Sequence, residues 1–220
     1  MDISKLIICE KSGVLFLNKP APVVVHPCFG ENENTLIQFI REYLPEDVRP
    51  RLLNRLDRWT SGCIAVSLNI DSHRVFARLI ETRKVKKVYH AIVNGVCDFE
   101  SVEKRGPLKE HAYFKDNNKK DVFKDALTYF RVIRRYKNFS LVRAEPVTGR
   151  THQIRVHLSL LGYPVMGDSV YGCGIKQWKE GYCLHAIELS FPENSLTEAF
   201  SVTAPYDSRF KKAVDLASSI

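Results

Sequence analysis

The sequence predicts an α+β domain, and three observations lead there. Strand-like and helix-like apolar patterns are interspersed along its 220 residues without the strict β-α alternation of a doubly wound fold. No internal repeat, low-complexity tract or linker divides the chain, so residues 1–220 read as one domain. The apolar and charged fractions, 45% and 26%, are those of an ordinary soluble globular protein, long enough to build a core without staples.

The elements follow in order. Residues 13–18 (GVLFLN) read as a short buried strand ended by Lys19-Pro20. Pro20 and Pro22 then restrict the backbone, and residues 23–25 read as a second extended piece ending at His26-Pro27. After a Gly-Asn-rich turn, Asn34-Thr35 can cap a helix whose apolar face is Leu36, Ile37, Ile40, Tyr43 and Leu44, with Pro45 as its stop. Residues 63–66 read as a buried strand. Asp71-Ser72 opens a second helix with Val75, Phe76, Leu79 and Ile80 inward, and a strand over residues 88–93 closes at Asn94-Gly95. Residues 97–124 are polar and irregular, a candidate mobile substrate loop with Asp116-Asn117-Asn118-Lys119 as its tip. Residues 126–134 and 139–145 suggest a hairpin joined by a basic turn. A helix from about His152 to Leu161 is capped by Thr151 and stopped by Gly162, with Pro164 beyond. Strand-like residues 185–191 and 199–203 precede a short C-terminal helix.

Composition narrows the function. No apolar run approaches the roughly 18–20 residues of a membrane span, and the amino-terminal MDISKLIICEKSG lacks a signal-peptide shape. A cytoplasmic protein without a membrane partner is expected, with the nucleus or an organelle matrix as alternatives. Six scattered cysteines (Cys9, Cys28, Cys63, Cys97, Cys173, Cys183) form no C-x-x-C pair, which argues against a zinc site and gives no disulfide framework. The 33 Lys and Arg against 25 Asp and Glu leave a formal charge of +8, which fits a polyanionic partner, most often nucleic acid. The cations cluster over 83–87, 115–124 and 131–137, with Tyr89, Tyr113, Phe114, Tyr129 and Tyr136 close by as stacking platforms. A solvated charged face over half-buried strand aromatics accounts for the same pattern equally well.

Two segments carry chemistry. Asn54-Arg55-Leu56-Asp57-Arg58-Trp59-Thr60-Ser61-Gly62 puts one carboxylate between two arginines, where the chain turns into a strand. An acid between cations stays ionised, and reactive groups tend to sit on loops that rigid structure positions. Composition alone favours a surface Arg-Asp-Arg ion cluster. The second segment reverses that preference. Thr148-Gly149-Arg150-Thr151-His152-Gln153-Ile154-Arg155-Val156-His157-Leu158 crowds two arginines and two histidines around one helix start. Ile154, Leu158 and Leu161 fix that helix on the core and pull Arg155 to the core boundary. A guanidinium there needs a carboxylate, since an unpaired buried charge costs roughly 3–5 kcal/mol. Asp57 is one obvious candidate. The helix N-terminus with Arg150 could also hold a phosphate. His152 and His157 lie five apart with no third ligand in view, and read as hydrogen-bonding residues rather than metal ligands.

These residues resemble the RluA-type pseudouridine synthases. Asn54 to Gly62 is similar to that family's H-R-L-D-x-x-T-S-G motif, and Gly149 to His157 to its G-R-x-H-Q-I-R-x-H motif. The segment Gly162-Tyr163-Pro164-Val165-Met166-Gly167-Asp168 resembles its G-x-P-x-x-G-D signature, and Leu184-His185-Ala186 its L-H-A. Lys87-Val88-Tyr89-His90-Ala91 resembles the K-x-Y-x-A segment that carries the family's active-site tyrosine, and Asn18-Lys19-Pro20 with His26-Pro27 its opening motif. The likeness runs in order over about residues 13–205. Two positions depart: Asn54 stands where the family usually has His, and Pro22 where K-P-x-G has glycine. Neither carries the reacting group, so altered loop geometry is expected rather than lost chemistry. The stretch before residue 13 leaves no room for the small RNA-binding domain of some relatives. The expectation is a single catalytic domain that selects RNA alone or through a partner.

The resemblance implies a mixed, mainly antiparallel sheet with flanking helices and a central RNA-binding cleft. It implies the isomerisation of uridine to pseudouridine in structured RNA (tRNA or rRNA), by a monomer without cofactor or metal. Asp57 is then the catalytic carboxylate, with Tyr89 stacked on the target uracil and Arg155 paired with Asp57. Arg55 is a candidate to fill the stack that a flipped uridine vacates. Ile154 and Leu184 wall the pocket, and Thr60, Arg150 and His152 complete the substrate-binding set. The basic stretch 115–137 is expected on the RNA surface. The alternative is an RNA-binding or RNA-folding factor that keeps the fold without chemistry. Intact Asp57, Tyr89 and Arg155 count against it.

Overall fold

The computed structural model describes residues 1–27, 34–109, 122–172, 175 and 177–219. Among these, ten strands form one sheet: β1 (Ile7–Lys11), β2 (Val14–Lys19), β3 (Arg51–Leu52), β4 (Thr60–Ser67), β5 (Lys86–Asn94), β6 (Ser101–Lys109), β7 (Phe123–Arg135), β8 (Phe139–Pro146), β9 (Leu184–Phe191) and β10 (Phe200–Thr203). The helices are α1 (Leu36–Tyr43), α2 (Ile70–Glu81), α3 (Gln153–Leu160) and α4 (Ser208–Ser219). No helix among the described residues is long and apolar enough to cross a membrane.

The strand order is β1-β2-β4-β9-β5-β8-β7-β6, with β3 on β4 and β10 on β9. Its one parallel contact among the described pairs is short and central, Thr60 to Gly62 of β4 against Leu184 to Ala186 of β9. Gly62 makes that approach possible. Its φ is +110°, and a Cβ there would stand 2.2 Å from the Ala186 carbonyl oxygen. β4 is buried along its whole length, as a central strand covered on both faces must be.

Side-chain alternation decides what lies on each face. Tyr89 opposes Ala144 and Ala186, and Ala91 opposes Leu184, so these share one face. His90 opposes His185 and Arg143 on the other. Helix α3 covers the first face, where His157 bonds Thr128 of β7 at 3.0 Å. Helix α4 covers the second, its Phe210 ring 5.5 Å from that of His185. At the β2–β4 end, Phe16, Phe76, Phe191 and Phe200 meet mostly edge to face at 5.2–6.3 Å, and α2 packs there through Phe76.

Several local expectations change. Residues 101–109 are not loop but strand β6, paired in full with β7. One face of β6 meets solvent, so charged residues alternate with half-buried ones and the apolar signal is faint. The proposed tip at 116–119 lies outside the described residues. Residues 23–25 form no strand; the Val24 and Val25 carbonyls accept the N–H groups of Leu36 and Ile37 at 2.8 and 3.1 Å, capping α1. Gln38 adds the reciprocal bond, its side chain accepting from the Thr35 N–H at 2.9 Å. Helix α2 is capped by Asn69 rather than by Asp71-Ser72, with Oδ1 2.9 Å from the Ser72 nitrogen. Thr151 does not cap α3. His152 occupies that position in the left-handed region (φ 56°) and makes no side-chain capping bond.

Candidate active site

All nine residues expected from the sequence line one cleft of about 420 Å³: Asp57, Tyr89, Arg155, Arg55, Arg150, Thr60, Ile154, Leu184 and His152. Three structures converge on it. The loop between β3 and β4, running into the first residue of β4, brings Arg55, Asp57 and Thr60, strands β5 and β9 bring Tyr89 and Leu184, and the start of α3 brings the rest.

The Asp57 loop is built to stay put. The Thr60 N–H donates to the Asp57 carbonyl at 3.0 Å, closing a turn immediately before β4. Asn54, at the position where a family histidine was expected, is buried and braces the loop against β4. Its Oδ1 accepts from Ala65 N–H at 2.8 Å and its Nδ2 donates to the Cys63 carbonyl at 3.3 Å. One amide thus replaces a missing strand neighbour, so the departure is structural. Lys19, fully buried, donates to the carbonyls of Pro20, Val23 and Arg58 at 3.1, 2.8 and 3.1 Å. Burial, then the nearby Arg209 charge, pulls its amine down to about 7.

The Arg155 fork does not go to Asp57. Its Nε and Nη2 donate to the two oxygens of Asp168 at 2.6 and 2.9 Å, a buried bidentate pair. Asp57 Oδ2 lies 4.0 Å from Nη1 and forms no hydrogen bond with it. The expected Asp57–Arg155 ion pair is thus present as a long contact without a hydrogen bond, while a second, fully buried carboxylate, Asp168, takes the fork. Burial, the largest influence, discourages the Arg155 charge, but the hydrogen bonds it donates to Asp168, together with the nearby Asp168 and Asp57 charges, outweigh it and hold the group protonated. Asp168 is desolvated too, yet Arg155 and the N–H groups of Tyr171 and Val170 keep it below the usual carboxylate range.

The Asp57 side chain is 39% exposed to the cleft. His152 Nε2 stands 3.9 Å from its Oδ2, while Nδ1 meets the Tyr171 hydroxyl at 2.9 Å. Tyr89 is partly buried, and burial followed by the Asp57 charge pushes its hydroxyl far above the ordinary phenol range. It therefore enters the cleft as a protonated ring. Arg55 is exposed at the rim. Arg150 donates from Nε to the Asp125 carbonyl at 3.1 Å, which ties the α3 approach to β7. Gln153 anchors the same turn, accepting from Thr148 Oγ1 at 2.7 Å and Arg150 N–H at 3.0 Å and donating to Leu127 and Thr128.

The family described as RNA pseudouridylate synthase matches residues 13–160. The chain belongs to this family. Among its relatives, the ribosomal large subunit pseudouridine synthase D of Borreliella burgdorferi is 36% identical over 181 residues, 78% of this chain and 56% of that protein. The protein of the same name from Neisseria meningitidis serogroup B is 34% identical over 218 residues, 91% of this chain and 58% of that one. The chain thus spans little more than half the length of these curated relatives. Two solved structures share the fold. Human RNA pseudouridylate synthase domain containing 4 superposes with a TM-score of 0.78 at 22% identity, covering 97% of this chain and 93% of that one. The human domain-containing 1 protein gives 0.75 at 26% identity, covering 97% and 94%.

Sequence reading missed four residues that shape this cleft: Asp168, Tyr182, Lys19 and Arg209. Asp168 lay inside the Gly162–Asp168 motif, and an arginine at a core boundary called for a buried acid beside the half-exposed Asp57. Tyr182 sits two residues before Leu184, so the period of an extended chain already put the two on one face. Lys19 stood in the opening motif but its reach to the Arg58 carbonyl left no local signal, and Arg209 left none, because its acceptors are backbone carbonyls distant in sequence.

Proposed function

We propose that this chain is an RNA pseudouridine synthase that isomerises uridine with Asp57 as its catalytic carboxylate. The observation that carries the reading is the meeting of Asp57, Tyr89 and Arg155 in one cleft with apolar walls and a cationic rim. The reaction breaks N1–C1′ and forms C5–C1′, while C5 gives up a proton and N1 gains one. Atoms and electrons balance without a redox or group-transfer cofactor.

The residues divide the work accordingly. Asp57 acts at the sugar–base centre, close to a buried positive charge that Asp168 holds in place. The protonated Tyr89 ring stacks on the uracil, and Ile154 and Leu184 retain the detached base. Thr60, Arg150 and His152 line the approach, and Arg55 enters the stack that the flipped uridine leaves. Arg55, Arg58, Lys87 and Arg150 around the opening, with a formal charge of +8, suit an RNA backbone. The relatives named for the large ribosomal subunit make that subunit's RNA the first substrate to test. We further infer that residues 1–220 act as one catalytic unit and as a monomer.

Pseudouridine mapping in RNA from cells lacking the gene, complemented with wild type or Asp57→Ala, tests the reading. Wild type is expected to restore one or more sites that Asp57→Ala leaves as uridine. Full restoration by Asp57→Ala would overturn it.

A further inference from the structure

Asp57 needs a fixed rotamer to work at a sugar–base centre, and Arg155 at 4.0 Å does not provide it. Among the described residues, one side chain lies within hydrogen-bonding distance of its carboxylate: Tyr182, whose hydroxyl is 3.4 Å from Oδ2. The same hydroxyl is 3.3 Å from Thr60 Oγ1. A carboxylate only accepts, so the phenol donates to Asp57 and the Thr60 hydroxyl donates to the phenol oxygen. Burial first, then the charge of Asp57, pushes the phenol well above its ordinary range, so it remains a donor. The Tyr182 ring is 6% exposed and is held on one face by the Arg155 guanidinium at 4.0 Å.

Its backbone is held from the far side of the sheet. Arg209 of α4, itself 6% exposed, donates to the Glu180 and Tyr182 carbonyls at 3.0 and 2.9 Å and to the Trp59 carbonyl at 2.8 Å. One guanidinium therefore ties the segment carrying Tyr182 to the loop carrying Asp57. Between them Gly181 (φ +71°) lies flat on Trp59; a Cβ would come within 2.2 Å of the indole. Lys19 holds the adjacent Arg58 carbonyl, so consecutive carbonyls after Asp57 each accept from a buried basic side chain. Tyr182 and Arg209 both lie beyond residues 13–160, the segment that the family matches.

We propose that Tyr182 is a positioning residue for the Asp57 carboxylate, seated by Arg209 of the C-terminal helix, with its hydroxyl fixing one carboxylate oxygen while the side chain stays open to the cleft. The proposal rests on Asp57 being the reacting group.

Steady-state kinetics on an RNA that the wild type modifies, with RNA affinity measured separately by filter binding, test it. Tyr182→Phe keeps the ring under Arg155 and removes only the hydroxyl. It is expected to lower kcat about tenfold, the effect of one hydrogen bond to a charged group. KM and RNA affinity should stay within twofold. Arg209→Met is expected to lower kcat at least as far. Arg209→Lys should recover part of it, because an ammonium can still reach some of the three carbonyls. If Arg209→Met does not fold, Tyr182→Phe decides alone. A Tyr182→Phe kcat within twofold of wild type, or a loss confined to KM, would overturn the proposal. Failure of the underlying reading looks different: wild type and Asp57→Ala would then give equal yields before any Tyr182 or Arg209 variant is compared.

Discussion

At the scale of single residues, two carboxylates near Arg155 have different environments and so different tasks. Asp168 is fully buried and makes the bidentate pair, whereas Asp57 is 39% exposed and makes only a long ion pair with the arginine at 4.0 Å. Removing one partner of a buried pair leaves the other charge stranded. Asp168→Ala is therefore expected to destabilise the fold by about 3–5 kcal/mol in urea unfolding. Asp57→Ala should change stability by less than about 1 kcal/mol. Equal losses would mean that the two carboxylates hold the arginine equally. The types of residue in the site were legible in the sequence because their chemistry clusters in short motifs. Which acid meets which base was not, since that choice depends on the Val165–Asp168 turn and on the N–H groups that hold Asp168 after it.

At the scale of elements, the β4–β9 contact is where the two halves of the sheet meet and where the cleft opens. Gly62 is its critical position, with positive φ and Ala186 backbone atoms where a Cβ would go. Gly62→Ala is expected to cost more than about 3 kcal/mol, measured by thermal or urea unfolding, and to reduce activity with it. Gly106, in β6 with open space around it and no positive φ, is the control; Gly106→Ala should be neutral or slightly stabilising. A tolerated Gly62→Ala would show that the parallel contact can slide. The buried strands and amphipathic helices could be read from periodicity. Strand β6 could not, because its exposed face carries Glu103 and Arg105 between residues that are only half buried. Nor could the capping of α1, which is done by the Val24 and Val25 carbonyls far upstream rather than by a side chain alone.

At the scale of the whole molecule, buried titratable groups give stability a definite pH dependence. Burial, then the Lys104 charge, pushes His157 down to about 4, and burial with Arg143 and His185 does the same for His90. Free histidine titrates near 6.5, so between pH 6.5 and 4 the unfolded chain binds protons that the folded chain refuses. Stability is expected to fall as pH drops through that window, with His157 contributing up to about 1.4 kcal/mol per pH unit. Lys19, at about 7 folded against 10.5 free, has the same sign at higher pH: its contribution rises from pH 7 toward 10.5. Urea unfolding of wild type and His157→Gln from pH 4 to 7 checks the first window; an unchanged slope would mean that His157 is protonated in the fold. The central claim is more direct. The purified chain is incubated with unmodified large-subunit ribosomal RNA, and pseudouridine is mapped alongside Asp57→Asn. The wild type is expected to convert specific uridines, and Asp57→Asn to bind the RNA with similar affinity and convert none. Conversion by Asp57→Asn at the wild-type rate would contradict the account.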